Sequence, residues 1–595
     1  MARKPAAKAS AASHGYPRKQ LRREQWTNLN GRWQFAIDAD GEWTSPRQVT
    51  FDRTINVPYA PETPASGVEE TGFFSAVWYR RTFSTPKLLD DQRLILHFGA
   101  VDHIATVWVN DSPAANHEGG YTPFSADITD LLRAGGENTI VVRAFDDPAD
   151  LAKPRGKQDW HLEPHSIWYY RTTGIWQTVW MEVVPKMCIE SLRWTPDVER
   201  WSLQLTARLS NNTSSRLRLR VILSHTGREL VRDEYAIDSG SEICRTIGLP
   251  DGGIEDVRND LFWSPRNPNL IDVRIELLDE RGELIDTVES YTAMRSVQAQ
   301  GDQLVLNGRP IMLRLLLDQG YWPESGLTPP GDDAIRRDIE LVKQMGFNGV
   351  RKHQKIEDPR FLYWADRLGL LVWEEMPSPY RFSERSIERL TREWLAAMER
   401  DVSHPCIIAW VPFNESWGVP DLPNVTAQRD WLRGIFYLTR SFDPSRPVIG
   451  NDGWEMVVSD IVAIHDYERS PDNLRRRYEQ TPANLQHLFA HERPGHRMLL
   501  LDGLTHEGKP IMLTEFGGIA FSRDTRHTWG YKRAATQAEF KKQYTDLLAA
   551  VRACPVFAGF CYTQFTDTYQ EANGLLYMDR RPKFPIEQIR KATEG

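Results

Sequence analysis

The apolar residues change their period near residue 298, and that change divides the chain. Upstream, apolar and polar residues alternate in short runs: Leu94-Ile95-Leu96-His97-Phe98, Ala105-Thr106-Val107-Trp108-Val109 and Thr139-Ile140-Val141-Val142-Arg143. Turn signals at Asn110-Asp111 and Gly135-Gly136 separate them. A period of two belongs to half-buried strands, so this part reads as all-β. Residues Thr178 to Val184 end a first region, with Pro185 as punctuation, and a β-sandwich over 17–185 fits. The pattern renews at Leu203 to Leu209, Leu217 to Leu223 and Ile271 to Leu278, giving a second sandwich over 186–297 with turns at immunoglobulin-like spacing. Met1 to about Tyr16, Ala-rich and basic, reads as a disordered tail.

Downstream, short apolar strands alternate with amphipathic helices, the signature of βα units and a parallel sheet. Strands are expected at Ile311 to Leu317, Gly346 to Arg351, Leu370 to Glu374, Ile407 to Pro412, Pro447 to Gly450, Ile461 to His465, Pro510 to Glu515 and Val556 to Thr563. Helices are expected at Asp333 to Met345, Pro359 to Leu368, Ser386 to Val402 and Gln537 to Val551. Eight such units over 298–595 match a (β/α)8 barrel, whose chemistry sits where strands end.

Composition removes several classes. With 73 Lys and Arg against 81 Asp and Glu, the net charge of -8 offers no field for nucleic acid or an anionic membrane. No run approaches the roughly 18 apolar residues of a membrane span, and the start has no apolar h-region, so the expected compartment is cytoplasmic. Five cysteines, none spaced as CxxC, encode neither a disulfide framework nor a zinc site; no metal and no cofactor motif is present. The 21 tryptophans tilt the balance slightly toward carbohydrate, whose C–H faces stack on indole rings.

The strand-end rule selects two carboxylates. Glu415 follows the fourth strand in Trp410-Val411-Pro412-Phe413-Asn414-Glu415, and Glu515 ends the seventh in Ile511-Met512-Leu513-Thr514-Glu515. Both belong at one barrel mouth. Two carboxylates about 5 to 5.5 Å apart can cleave a glycosidic bond, one protonating the departing oxygen and the other attacking the anomeric carbon.

Asn414-Glu415 together with Thr514-Glu515-Phe516-Gly517-Gly518 resembles the retaining β-glycosidases of glycoside hydrolase family 2, which includes β-galactosidases, β-glucuronidases and β-mannosidases. Trp78-Tyr79-Arg80-Arg81, Gly174-Ile175-Trp176-Gln177, Gly346-Phe347-Asn348 and Asp579-Arg580-Arg581-Pro582-Lys583 are similar to further family stretches, so the resemblance covers about residues 17 to 590. It implies a sugar-binding jelly-roll-like sandwich, an immunoglobulin-like sandwich and a catalytic barrel. It further implies Glu515 as nucleophile, Glu415 as acid/base and Asn414 as a contact to the sugar 2-hydroxyl. By the same resemblance Tyr467 bonds the nucleophile, and Arg351 and Glu375 belong to motifs at the second and third strand ends. His465 stands where the family often has Asn, and His353 lies two positions after Arg351 where three is the common spacing.

The eighth strand departs from the family. Thr563 stands where relatives place a tryptophan beneath the sugar, leaving Tyr562, Gln564, Trp454 or Trp417 to supply the platform. Between Asp567 and Asp579 the Asn-x-Lys pair that resembling β-glucuronidases use to hold a carboxylate is missing. That demotes a uronide unless Arg155, Lys157 or Lys352 reaches inward, because a buried unpaired carboxylate is costly. The expected function is therefore an exo-acting retaining β-glycosidase on a carbohydrate substrate, β-galactosidase-like as first guess. A β-glucuronidase, β-mannosidase or arabinosidase specificity is the alternative, and a catalytically silent carbohydrate-binding protein the alternative of another class. A homo-oligomer is left open.

Overall fold

The computed structural model describes residues 14–133, 135–213, 216–237, 240–251, 258–479, 482–522 and 527–595. The alternating part folds as two antiparallel sandwiches. In the first, a six-stranded sheet (Gly31–Asp38, Arg53–Val57, Ala76–Ser84, Ile104–Val109, Ser112–Glu118 and Glu137–Phe145) faces a four-stranded one (Trp26–Asn28, Gln92–Phe98, Phe124–Asp127 and Val179–Pro185). Inward side chains such as Phe35, Val77, Tyr79, Leu96 and Val142 fill the space between them. The second, immunoglobulin-like sandwich pairs a three-stranded sheet with a four-stranded one. Its Leu217–His225 strand shows why: Leu217, Leu219, Val221 and Leu223 are buried while Arg218 is exposed, so one face meets the core and the other water.

Residues 1–13 of the expected tail lie outside the described residues, and the rest of that expectation is corrected. His14 and Tyr16 are buried. The Tyr16 hydroxyl donates to Glu182 at 2.6 Å and to the Leu21 carbonyl at 3.0 Å, which fastens the segment to the first sandwich.

From residue 313 a parallel sheet curls into the barrel. Its strands are β1 (Leu313–Asp318), β2 (Gly349–Lys352), β3 (Leu371–Glu375), β4 (Ile407–Val411), β5 (Val462–His465), β6 (Ile511–Gly517) and β7 (Phe557–Thr563), in the order β4-β3-β2-β1-β7-β6-β5. The expected strand at Pro447 to Gly450 is corrected: the opening between β4 and β5 is spanned by isolated bridges, Trp410 with Val448 and Asn414 with Asp452, both parallel. The physical reason is a side chain in place of a strand. Asp460 accepts the Val448 amide on its carboxylate at 2.9 Å and returns its own amide to the Val448 carbonyl at 2.9 Å, so the ladder stops.

The helices are cut by local chemistry. Pro359–Leu368 opens with Asp358 accepting from the Arg360 amide and Pro359 in the first turn, and closes on Gly369 at φ +70°. Glu384–Asp401 is capped by Ser383. Most of the tryptophan excess serves packing: Trp33, Trp78, Trp176, Trp194, Trp373 and Trp410 are fully buried. No helix among the described residues is long and apolar enough to cross a membrane.

Candidate active site

Polar groups gather at the C-terminal mouth of the barrel, and Arg351 on β2 ties Glu375, Asn414, Asp452 and Glu515 together. Its guanidinium is fully buried. Nε donates to Glu375 at 2.7 Å, Nη1 to Glu515 at 2.9 Å and Nη2 to the Asn414 side-chain oxygen at 2.6 Å, and the Asp452 carboxylate lies 3.4 Å away. Burial, the largest influence, pulls the arginine's proton affinity down, but Asp452, Glu375 and Glu515 more than reverse it.

One oxygen of Glu415, one ring nitrogen of His465 and one oxygen of Glu515 lie within 4.8 Å of one another. The two carboxylates have different surroundings. Glu515, 5% exposed in its side chain, also accepts from the Tyr467 hydroxyl at 2.6 Å. Burial pushes its carboxyl up, yet the charges of His465, Arg351 and His353 and the Tyr467 hydrogen bond outweigh burial and hold it below the ordinary range. Glu415 is more open, 12% exposed, with one oxygen 2.8 Å from His465 Nδ1. His465 Nε2 lies 3.0 Å from Asp452. Burial lowers the proton affinity of that imidazole, but Glu515, Asp452 and Glu415 together raise its pKa to about 10, so at neutral pH both its nitrogens donate.

The backbone that presents Glu415 is strained. Glu415 and Ser416 sit at φ +52° and +60°, a region costly for residues with a side chain. The segment that replaces the expected fifth strand holds them there: the Glu415 amide donates to the Asp452 carbonyl at 2.9 Å and the Ser416 amide to the Asn451 side chain at 3.0 Å. Asn414 has its oxygen taken by Arg351, while its Nδ2 is buried with no partner among the described residues, a donor available to a bound molecule.

The other expected site residues divide. His353 is buried with Nδ1 3.1 Å from Glu375 and 3.9 Å from Glu515, its ring 6.3 Å from that of Trp417. Glu375 faces the mouth, below the ordinary range at about 2: burial raises it, but Arg351, His353 and Gln354 dominate. Its neighbour Glu374 points the other way, toward Asp401 and Arg400. Trp454 stands edge-on to His465 at 5.6 Å. Gln564 is fully engaged elsewhere, accepting from Gln319 at 2.8 Å and donating to Asn573 at 2.7 Å. Tyr562 is corrected as a site residue: its ring packs on Tyr544 and Phe516 in the helix layer, because side chains alternate along a strand and Thr563 takes the inward place. There the Thr563 hydroxyl lies 3.2 Å from that of Tyr467.

Sequence reasoning missed Asp452, Tyr531 and Tyr380. Asp452 lies just past the expected fifth strand, where the strand-end rule finds it. Tyr531, stacked on Tyr467 with ring centres 3.4 Å apart, comes from a long loop with no signal. Tyr380 belongs to an aromatic wall shared by two domains. Trp168 of the first sandwich donates from its indole to the Tyr380 hydroxyl at 2.6 Å and lies 6.2 Å from Trp417. The Pro154 to Trp160 loop joins this wall over the mouth, with the Trp160 ring 4.9 Å from that of Tyr380 and Lys157 Nζ 5.2 Å from the ring centre of Trp417.

A curled parallel barrel with paired carboxylates at its C-terminal mouth, roofed by a loop from a β-sandwich, defines a class of sugar-processing architecture. The comparisons agree in three segments: the galactose-binding domain-like region of glycosyl hydrolase 2 matches residues 68–179, the domain named glycosyl hydrolases family 2 matches 188–295, and that family's TIM barrel domain matches 297–595. The chain belongs to glycosyl hydrolases family 2. It is 28% identical over 436 residues to a β-galactosidase of Thermoanaerobacter pseudethanolicus, 71% of this chain and 53% of that protein. It is 25% identical over 552 residues to a β-glucuronidase of Paenibacillus borealis, 85% of each. The match thus spans about half the length of the first relative and most of the second. Among solved structures, a Bifidobacterium dentium β-glucuronidase aligns with a TM-score of 0.76 at 20% identity over 96% of this chain and 98% of that one. A β-galacturonidase of Eisenbergiella tayi aligns at 0.73, 20% identity, over 98% of each.

Proposed function

We propose that the protein is an exo-acting retaining β-glycosidase. The observation that carries this reading is the proximity of Glu415 and Glu515, within 4.8 Å, in surroundings that separate their roles. Glu515, ionised by Arg351 and His465 and oriented by Tyr467, attacks the anomeric carbon and forms a glycosyl ester. Glu415 protonates the departing oxygen, then takes a proton from the water that hydrolyses the ester. The free Asn414 Nδ2 supplies a donor to a sugar hydroxyl, and the wall of Trp168, Tyr380 and Trp417 narrows the mouth toward one terminal sugar. The names of the relatives divide between neutral and acidic glycones, β-galactoside and β-glucuronide.

The test is chemical. Glu515→Gln removes turnover of nitrophenyl β-glycosides, and a 2-fluoro glycoside labels Glu515 covalently, read by peptide mass. Glu415→Ala slows poor leaving groups far more than activated ones, which need no proton at departure. Label on another residue, or equal loss for both leaving groups, sinks the assignment.

A further inference from the structure

The loop that overhangs the mouth is pinned to the barrel at Arg155 and Gly156. The Arg155 and Gly156 amides both donate to the Ser378 carbonyl at 3.2 Å, and Gly156, at φ +57°, lies so close to the Gln354 carbonyl that a Cβ there would collide with it. The next residue, Lys157, is thereby driven under the roof. It is 4% exposed, and its ammonium sits 5.2 Å from the ring centre of Trp417 and 6.0 Å from that of Tyr169. Among the described residues Nζ has no hydrogen bond and no ion pair, which burial makes costly.

The nearby carboxylates do not need it. Arg351 and Gln354 serve Glu375, Arg351 and Tyr467 serve Glu515, and His465 serves Glu415. Glu571 accepts from the Tyr169 hydroxyl and from Asn573 at 2.9 Å. Nor do the other two candidate cations, Lys352 and Arg155, compete for an incoming anion. Lys352 is held by Asp318 and Glu357, both at 2.7 Å, and Arg155 spends its guanidinium on the carbonyls of Pro148, Asp150, Gln158 and Asp159. Burial lowers the proton affinity of Lys157, with Glu571, Glu515, Glu415 and Glu375 opposing it; an anion brought into contact restores the charged form.

We propose that Lys157 holds the carboxylate of a uronic-acid glycone against the aromatic wall, so that β-linked uronides are the preferred substrates; this rests on the glycosidase reading above. A cation from the sandwich thus replaces the missing Asn-x-Lys pair of the barrel, and in a site shielded from water one such pair is strong.

The experiment uses the full chain and two matched pairs, nitrophenyl β-glucuronide with β-glucoside and β-galacturonide with β-galactoside. The wild type is expected to favour the uronide of one pair by about tenfold or more in kcat/KM. Lys157→Met is expected to lower that uronide about a hundredfold while the neutral partner changes less than about threefold. Lys157→Arg keeps the uronide preference and Lys157→Gln loses it, which guards against a misfolded Met variant, with Tm measured for all three. A wild type that prefers the neutral sugar in both pairs overturns the proposal and leaves the glycosidase reading standing. So does an equal loss on both partners at unchanged Tm. No turnover of any of the four, with no 2-fluoro label on Glu515, overturns both.

Discussion

At the scale of the residue, the charge balance of the mouth turns on Arg351. It faces Glu375, Glu515 and Asp452 in the buried interior, and breaking such a pair by removing one partner costs about 3 to 5 kcal/mol, because the remaining charges stay buried. Arg351→Met is therefore expected to destabilise the fold by about that amount at neutral pH, read by denaturant unfolding. The pH dependence has a definite sign. In the native protein Glu375 is depressed to about 2, so its contribution is present above its ordinary pKa near 4.5 and fades as pH falls through about 2. Without Arg351 that contribution is lost, so the gap between variant and wild type narrows on acidification below pH 4.5; a gap that stays constant from pH 4.5 down to about pH 2 refutes the account. Single residues also mark where the sequence misleads. In a parallel strand covered on both faces, inward and outward positions are equally apolar, so nothing in Phe560-Cys561-Tyr562-Thr563 tells which side Tyr562 takes. Glu374 and Glu375, both buried, differ only in parity.

At the scale of the element, the irregular segment after β4 and the sandwich loop do what regular strands do not. The first holds Glu415 in a left-handed turn; the second carries Lys157 and Trp168 over the mouth. Regular elements were legible in sequence because their periods are long: helix Pro359–Leu368 has the bounds its pattern predicts. The fifth strand was not, since Pro447-Val448-Ile449-Gly450 is as apolar as a strand and only the side chain of Asp460, ten residues past Gly450, decides against it. For the loop, Gly156→Ala is the informative change. The added methyl meets the Gln354 carbonyl and a backbone angle that alanine disfavours, so the loop lifts from the barrel. On the proposal that the loop carries a substrate contact, the expected outcome is a KM for glycosides raised about tenfold or more, together with a lowered Tm because Lys153, Arg155, Gln158 and Asp159 of the loop are buried. An unchanged KM separates the loop from the site.

At the scale of the whole molecule, the wall over the site depends on how the first sandwich and the barrel are locked together, and the lock contains a buried acid. Glu393, on the helix Glu384–Asp401, accepts the Tyr121 amide at 2.6 Å with one oxygen while its other oxygen is buried without a partner among the described residues. Arg389 reinforces the seam through Glu118 at 2.7 Å and Asp150 at 2.6 Å. Burial is the largest influence on Glu393 and, with the nearby Asp102 and Glu118 charges, raises its pKa to about 8, against the Tyr121 hydrogen bond and Arg392. The carboxyl is thus neutral in the folded protein at pH 7, whereas in the unfolded chain it is ionised above about 4.5. A group whose folded pKa is raised stabilises fully below the unfolded pKa, and that stabilisation is lost as pH rises toward the folded value. Glu393→Gln keeps the carbonyl that accepts from Tyr121 and removes the titration. Below pH 4.5 wild type and variant should melt together; between pH 5 and 8 the wild type should fall behind by a growing margin, and above pH 8 the margin should stop growing. Calorimetric Tm values across that range decide it, and parallel curves for the two proteins would mean that the seam carries no titrating acid.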